Sequence, residues 1–318
     1  MSKNDEVQEQ YIEGKFLDLE TLRRFATPNT WSWFAAAMCE WVIIGLTMWL
    51  CRTWLPWWLW PLGIFLIGTR QHALGIMAHE GTHYLVSRNR FWNDLLPNLL
   101  AAYPLTYTVE AYRANHLRHH RWLDTPQDPE RASVDLYPDE WRYPMPKTRF
   151  YWLLLRDSLG LYLKQTLPLL EYVWAIPGGN LPHIIRVAVY HAAWIAVAIL
   201  TGQLLTYLVL WIVPLYTVAI MCFRFRTAAE HSAIAPDEQR YTRKRVDTVL
   251  TTRTTMGRIA GFVFAPYNMS YHIEHHLYPS VPVFRLRALH QLLMQNPSYA
   301  ANAHVATSYH AMVSELTT

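Results

Sequence analysis

Four stretches of this sequence are long and apolar enough to restrict the whole fold. They are residues 31–50 (WSWFAAAMCEWVIIGLTMWL), 54–78 (WLPWWLWPLGIFLIGTRQHALGIMA), 183–200 (HIIRVAVYHAAWIAVAIL) and 204–223 (LLTYLVLWIVPLYTVAIMCF). A helix of about 20 apolar residues crosses the hydrocarbon core of a bilayer. Inside lipid, a helix satisfies its own backbone groups, so such segments read as transmembrane helices. Composition points the same way. Hydrophobic residues make up 52% of the chain and charged residues only 16%, against about 25% charged in ordinary soluble domains. Tryptophan, at 15 residues, is also abundant.

The connections order these helices. Residues 51–53 and 201–203 are too few to hold a domain, so the four segments form two hairpins. Of the 28 Lys and Arg residues, only Arg52 lies in either short turn. Nearly all the rest fall in the N-terminal, middle and C-terminal regions, which the positive-inside rule places in the cytoplasm. Trp clusters at 31–33 and 54–60 suit interfacial aromatic belts. The expected fold is therefore all-α and integral to a membrane, with four transmembrane helices in two hairpins and a cytoplasmic helical cap. Its expected parts are a cytoplasmic N-terminal tail (1–30), a membrane domain (31–290) and a cytoplasmic C-terminal tail (291–318). The setting expected is a bacterial inner membrane.

Two further stretches are apolar without reading as spans. Residues 92–107 contain Pro97, Pro104, Asp94 and Asn98, and read as an interfacial or re-entrant piece. Residues 150–170 mix leucines with Arg156, Asp157 and Lys164, the pattern of an amphipathic surface helix. The opening MSKNDEVQEQ is polar and does not read as a secretory signal. Cys39, Cys51 and Cys222 offer no C-x-x-C pair, which excludes a cysteine zinc site and an iron–sulfur cluster. The formal charge of +4 fits a basic cytoplasmic face, or docking of an acidic protein. No nucleic-acid partner is expected.

The chemistry sits in the histidines, of which there are 15. His79-Glu80-Gly81-Thr82-His83 matches H-E-x-x-H, a pattern best known from zinc proteases, with the glutamate as base. Two other boxes follow, HLRHH (His116, His119, His120) and HIEHH (His272, His275, His276), and a ninth histidine, His231, stands in RTAAEHSAI. On a helix, residues three and four apart share a face. His79 and His83 can therefore meet at one point. In each H-x-x-H-H box the adjacent histidines diverge by about 100°, so one box can serve two metals. Nine imidazoles give roughly four per metal for two metals, and imidazole suits Zn, Cu, Fe and Ni alike. With two hairpins between them, all three boxes fall on the cytoplasmic side.

The boxes HEGTH, HLRHH and HIEHHLYPSVP, with AEH before the third, resemble those of the integral-membrane fatty acid desaturases, over residues 31 to 290. That superfamily also includes hydroxylases, carotenoid ketolases and alkene-forming decarboxylases. The spacing of the boxes looks like the desaturase and ketolase branch. The N-Y-x-E-H-Y-G motif of alkane and xylene hydroxylases is absent. The resemblance implies two irons that activate O2 as co-substrate with electrons from a separate carrier. It implies the ligands His79, His83, His116, His119, His120, His231, His272, His275 and His276, with no catalytic residue beyond them. In some relatives an Asn four residues before the lone histidine serves the site through water; here Thr227 stands there. Asn268, four residues before His272, could substitute or serve a turn.

Other residues carry narrower expectations. Glu80, Asp124, Asp128, Glu230 and Glu274 can orient imidazoles by accepting the second ring N–H, and Asp128 in TPQDPE also suits a loop turn. Glu80 could equally face solvent. His72, seven residues before His79, is a metal neighbour, a headgroup contact or a buried structural histidine. Glu40 and His191 lie at matching depths in the first and third spans, which suggests a pair. Arg240, Arg243, Lys244 and Arg245 could dock an acidic ferredoxin or cytochrome, or equally form a solvated or lipid-facing loop; no haem-binding H-P-G-G or rubredoxin pattern is visible, so the reductant is expected from a partner. The expected function is O2-dependent desaturation of a fatty acyl chain. The alternatives are hydroxylation, ketolation or oxidative decarboxylation of a similar lipid, and, in another class, a zinc intramembrane protease.

Overall fold

The computed structural model describes residues 16–131, 136–162, 180–232 and 248–318. They are mostly helical and divide into two units. One comprises the described residues within 29–117 and 148–225. The other comprises the described residues within 1–28, 118–147 and 226–318.

The first unit holds the long apolar helices. Thr30–Thr53, Leu181–Leu200 and Leu204–His231 are, among the described residues, the helices long and apolar enough to cross a membrane. Leu181–Leu200 leaves Ile184, Val189, Ile199 and Leu200 exposed, a surface far too apolar for water. The helix Trp60–Thr82, expected as a span over 54–78, is long enough at 23 residues but more polar. The cause is Thr69, Arg70, Gln71, His72, His79 and Glu80, all of them buried. It therefore works as the polar centre of its unit, and its other helices supply the apolar surface.

Close packing around that helix depends on small residues. The Trp33 indole N–H donates to the Met77 carbonyl at 3.0 Å, and a Cβ on Gly63 would lie 2.4 Å from Cys51 Sγ. Residues 33 and 77 meet at one end and 51 and 63 at the other, so Thr30–Thr53 and Trp60–Thr82 run antiparallel. A Cβ on Gly68 would sit 2.5 Å from Val218 Cβ, so glycine is what lets Leu204–His231 approach. That helix contains Pro214, which cannot donate in a helical ladder. A π turn at Leu208–Ile212 precedes the proline, and the Gln71 amide donates to the Trp211 carbonyl at 2.8 Å. Such side-chain repair is how interrupted helices persist away from water.

The ionic partner of Glu40 is not His191. Arg70 lies 3.5 Å from both carboxylate oxygens of Glu40, and both residues are buried. His191 bonds the Tyr103 carbonyl at 2.8 Å and the Tyr207 hydroxyl at 3.1 Å. Matching depth on two helices says nothing about their rotation. Arg70 also supplies a full counter-charge, which a neutral imidazole lacks.

Residues 92–107 form one short helical run: Arg90–Pro97, a π turn at Asn98–Ala102 and a 3-10 turn at Tyr103–Leu105. At this length it falls short of a span. Of the expected surface helix at 150–170, Lys147–Ser158 is helical, and residues 163–170 lie outside those described.

Among its described residues the second unit is built of short helices, and it departs from the all-helical expectation in a short strand pair. Thr254–Thr255 pairs in parallel with Val305–Ala306. Residues 291–318, set apart as a tail in the sequence reading, contribute that second strand and the helices Pro297–Asn302 and Tyr309–Leu316 to this unit. Tyr299, Met312 and Leu316 are buried there.

The buried pair gives a test. Replacing Arg70 by Met removes the counter-charge of the buried Glu40 carboxylate and should lower stability by about 3–5 kcal/mol. The double variant Arg70→Met/Glu40→Gln should regain most of that, whereas Glu40→Gln and His191→Ala should combine additively. Thermal unfolding of these five variants, the Glu40→Gln/His191→Ala double included, decides it in detergent.

Candidate metal centre

The first box sits at the C-terminal end of the Trp60–Thr82 helix, with His83 as its cap. His79 and His83 meet His116, from the helix Val109–Trp122. The Nε2 atoms of His79 and His116 are 2.8 Å apart, and those of His116 and His83 are 3.0 Å apart. All three ring centroids lie within 4.9 Å of one another in edge-to-face pairs.

The trio is locked from behind. Arg113, one turn before His116, donates to the Gly81 carbonyl at 2.8 Å and the Thr82 carbonyl at 3.2 Å, and pairs with Asp94. These carbonyls belong to the last turn of the first-box helix, where the helical i+4 donors run out; the Gly81 carbonyl also accepts from the Tyr84 N–H at 3.2 Å. Tyr84, at φ 61°, reverses the chain there, and its ring lies between the guanidinium groups of Arg90 (3.6 Å) and Arg113 (3.9 Å). A Cβ on Gly81 would lie 2.7 Å from the Pro97 ring, so this position in H-E-G-T-H needs glycine. Arg113 and Asn93, which donates to the Gly81 carbonyl at 3.0 Å, escaped the sequence reading. The spacing of Arg113 from His116 was the one signal available.

The other six histidines belong to the second unit. His231 Nε2 lies 2.8 Å from His272 Nε2, and His276 Nε2 lies 3.1 Å from His272 Nε2. His119 joins this set, with ring centroids 4.8 Å from His231 and 5.0 Å from His276. His120 Nε2 lies 3.0 Å from His275 Nε2. Within this unit, His119, His231 and His276 form one group able to hold a metal ion, and Glu230, His231 and His272 form another. His72 is buried and outside these groups.

The geometry suits a metal. Two nitrogens bound to one ion at about 2.05 Å sit about 2.9 Å apart when perpendicular and about 3.3 Å apart when tetrahedral. The five Nε2 pairs lie at 2.8 to 3.1 Å. His116 and His272 each make two such contacts with one nitrogen, more than a single N–H can satisfy. A cation at the point of convergence satisfies them all.

Protonation agrees. Burial, reinforced by neighbouring imidazoles, holds His272 and His276 well below the ordinary histidine pKa, in the neutral form a ligand requires. His119 differs. Burial opposes its charge, but Glu130 and Asp128 outweigh it and lift the pKa to about 9. Its Nδ1 meets both Asp128 oxygens, at 2.9 and 3.0 Å. That bond leaves Nε2 as the nitrogen that could bind a metal. Asp128 also accepts from the backbone N–H groups of Asp124 and Glu130, so it is loop anchor and imidazole partner at once.

The remaining carboxylates separate. Asp124 lies 3.5 Å from Arg131. Glu230 pairs with Arg226 at 3.1 Å and stands 3.6 Å from His272 Nδ1. Glu80 is buried, which removes its solvent-facing reading. Glu274 turns to Thr254, His290 and Tyr299 instead of to a box imidazole. Asn268 takes the turn role: at φ 67° it donates to the Val283 carbonyl at 3.2 Å. Residues 240–245 lie outside those described.

Comparison with known proteins fixes the family. The fatty acid desaturase sequence profile matches residues 53–308, which include every box and His231. The chain belongs to the fatty acid desaturase family. It is similar to the dihydrorhizobitoxine desaturase of Bradyrhizobium elkanii, with 29% identity over 77% of this chain and 70% of that one. It is also similar to a chloroplastic omega-6 fatty acid desaturase of Glycine max, at 22% identity over 76% of this chain and 58% of the relative. The sphingolipid delta(4)-desaturase/C4-monooxygenase of Homo sapiens is 22% identical over 86% of this chain and 77% of its own length. The protein is thus an oxidoreductase, and the H-E-x-x-H protease expectation falls.

Two outcomes follow. In the metal-free protein His119 carries a proton at pH 7, because its pKa is raised to about 9. Metal binding must displace it, so loading should release about one proton from this residue and weaken as pH falls. Titration in unbuffered solution measures the release. Asp128→Asn should cost about 10–100-fold in metal affinity, read by competition with a chelator.

Proposed function

We propose that this protein is a membrane-embedded di-iron enzyme that desaturates a lipid acyl chain with O2 and electrons from a separate carrier. Membership in the desaturase family carries this reading, and the converging imidazoles support it. When bound, two irons would supply the oxidising power for an unactivated C–H bond, which no protein side chain has.

Nine histidines divide this work: His79, His83, His116, His119, His120, His231, His272, His275 and His276. His116 and the pair His119 and His120 sit within about one turn of a single helix, so the second box feeds both metals. Asp128 fixes the tautomer of His119, and the neutral His272 and His276 would offer lone pairs to the metals. Arg113 holds the end of the first-box helix so that His79 and His83 keep their spacing.

Four spans in two hairpins, with the boxes on the cytoplasmic side, remain the topology we propose. The lysine and arginine distribution supports it. Arg240, Arg243, Lys244 and Arg245 are proposed to receive an acidic ferredoxin- or cytochrome-type donor. A bacterial inner membrane is the proposed setting.

The second reading is hydroxylation of a similar lipid. One relative's name joins a desaturase to a C4-monooxygenase. Both outcomes begin with the same hydrogen abstraction and differ in how the chain is placed.

The test is iron quantification with product identification by mass spectrometry, in cells expressing the protein and fed fatty acids. The reading requires about two irons per chain and a new double bond in the product. His119→Ala should abolish O2-dependent turnover, and Glu80→Gln should reduce it only partly. One zinc per chain and peptide cleavage would sink the reading.

A further inference from the structure

The third box lies on a helix of six residues, His272–Leu277. A helix so short is not held by its own hydrogen bonds; its N-cap residue, Tyr271, gives no side-chain cap, and the Ile273 N–H donates instead to the Thr254 hydroxyl at 3.4 Å. Yet it must aim three imidazoles. A 10° rotation moves an atom about 6 Å from a helix axis by about 1 Å, while a metal–ligand bond tolerates about 0.2 Å. Something outside the helix must fix its rotation.

Glu274 is the one point of the box turned the other way. Two residues on from His272 it faces about 200° round the helix, away from both His272 and His276. Its carboxylate is fully buried, and three donors hold it. Oε2 accepts from the Thr254 hydroxyl at 2.6 Å. Oε1 accepts from the Tyr299 hydroxyl at 2.5 Å and meets His290 Nδ1 at 2.5 Å. Each donor is anchored separately. Thr254 belongs to the strand paired with Val305, His290 to the helix Val283–Leu293, and Tyr299 packs edge-on against Phe16 at 5.4 Å.

The residue beside Thr254 performs a parallel task for the ninth histidine. Buried Arg253 donates to the Ala229 carbonyl at 3.0 Å and the Ser232 hydroxyl at 2.8 Å, and its backbone N–H donates to the Glu230 carbonyl at 3.0 Å. Its guanidinium also reaches Glu315 at 3.3 Å. These contacts bracket His231 on both sides.

We infer that Glu274, gripped by Thr254, His290 and Tyr299, sets the rotation of the third-box helix, and that the C-terminal segment 290–315 is thereby a positioning element for the metal ligands. None of these groups touches substrate; they act through His272, His275 and His276. The inference rests on the proposed metal site.

The test uses full-length protein in detergent, loaded with Co2+ as a spectroscopic probe and challenged with EDTA. Tyr299→Phe removes one hydroxyl and keeps the ring against Phe16. Glu274→Gln keeps the shape and removes the charge. In both, metal loss should accelerate about tenfold or more and the Co2+ absorption bands should shift, with the melting temperature near the parent's. If Glu274→Gln does not fold, Thr254→Val takes its place. Parental loss rates and spectra in the folded variants overturn the inference, as does a lowered melting temperature with unchanged metal loss. His272→Ala separates the two levels. If it retains Co2+ like the parent, the metal site itself is wrong. If it loses Co2+ while the Glu274 and Tyr299 variants retain it, only the positioning role is wrong.

Discussion

Imidazole nitrogens buried 3 Å apart are the constraint from which the rest of the structure follows. Neutral rings at that distance can share a proton in pairs, but His116 and His272 each face two partners with one nitrogen. Such an arrangement is costly to assemble without a cation, and any looseness in the supporting chain would let the rings drift apart. The surrounding architecture is correspondingly stiff. Arg113, Tyr84 and Gly81 fix one end of the first-box helix, Asp128 fixes His119, and Glu274 fixes the third box.

A second constraint is the polarity that such a site imposes on an apolar protein. The Trp60–Thr82 helix carries the first box and also Arg70, Gln71 and His72, all buried. Each needs a partner where water is scarce. Glu40 answers Arg70, and the Trp211 carbonyl beside the π turn answers Gln71. Glycines at 63 and 68 permit the close approach that these contacts require. The interior polarity that weakens this helix as a membrane span thus gives it its specific neighbours.

Much of this was legible in the sequence, for identifiable reasons. Histidine spacing is a local property of a helix, so His79 with His83 and His272 with His276 could be paired in advance. Asp128 was legible in both its roles because a turn and a nearby histidine fall within a few residues of it. Glu40 was mispaired because hydropathy gives depth and not rotation. Glu274 was expected to face a box imidazole, but its position on the helix turns it the other way. Tyr299 and His290 carried no signal, since nothing local links them to a glutamate 16 or 25 residues away.

By itself the sequence determined the helical class, the apolar segments and the nine histidines, because periodicity and composition act over one or two turns of chain. Tertiary structure decided which polar groups meet. It set Arg70 against Glu40, Arg113 against the end of the first-box helix, and a supposed C-terminal tail against the back of the third box. Those contacts depend on helix rotation and on pairings across long stretches of chain, and a one-dimensional pattern records neither.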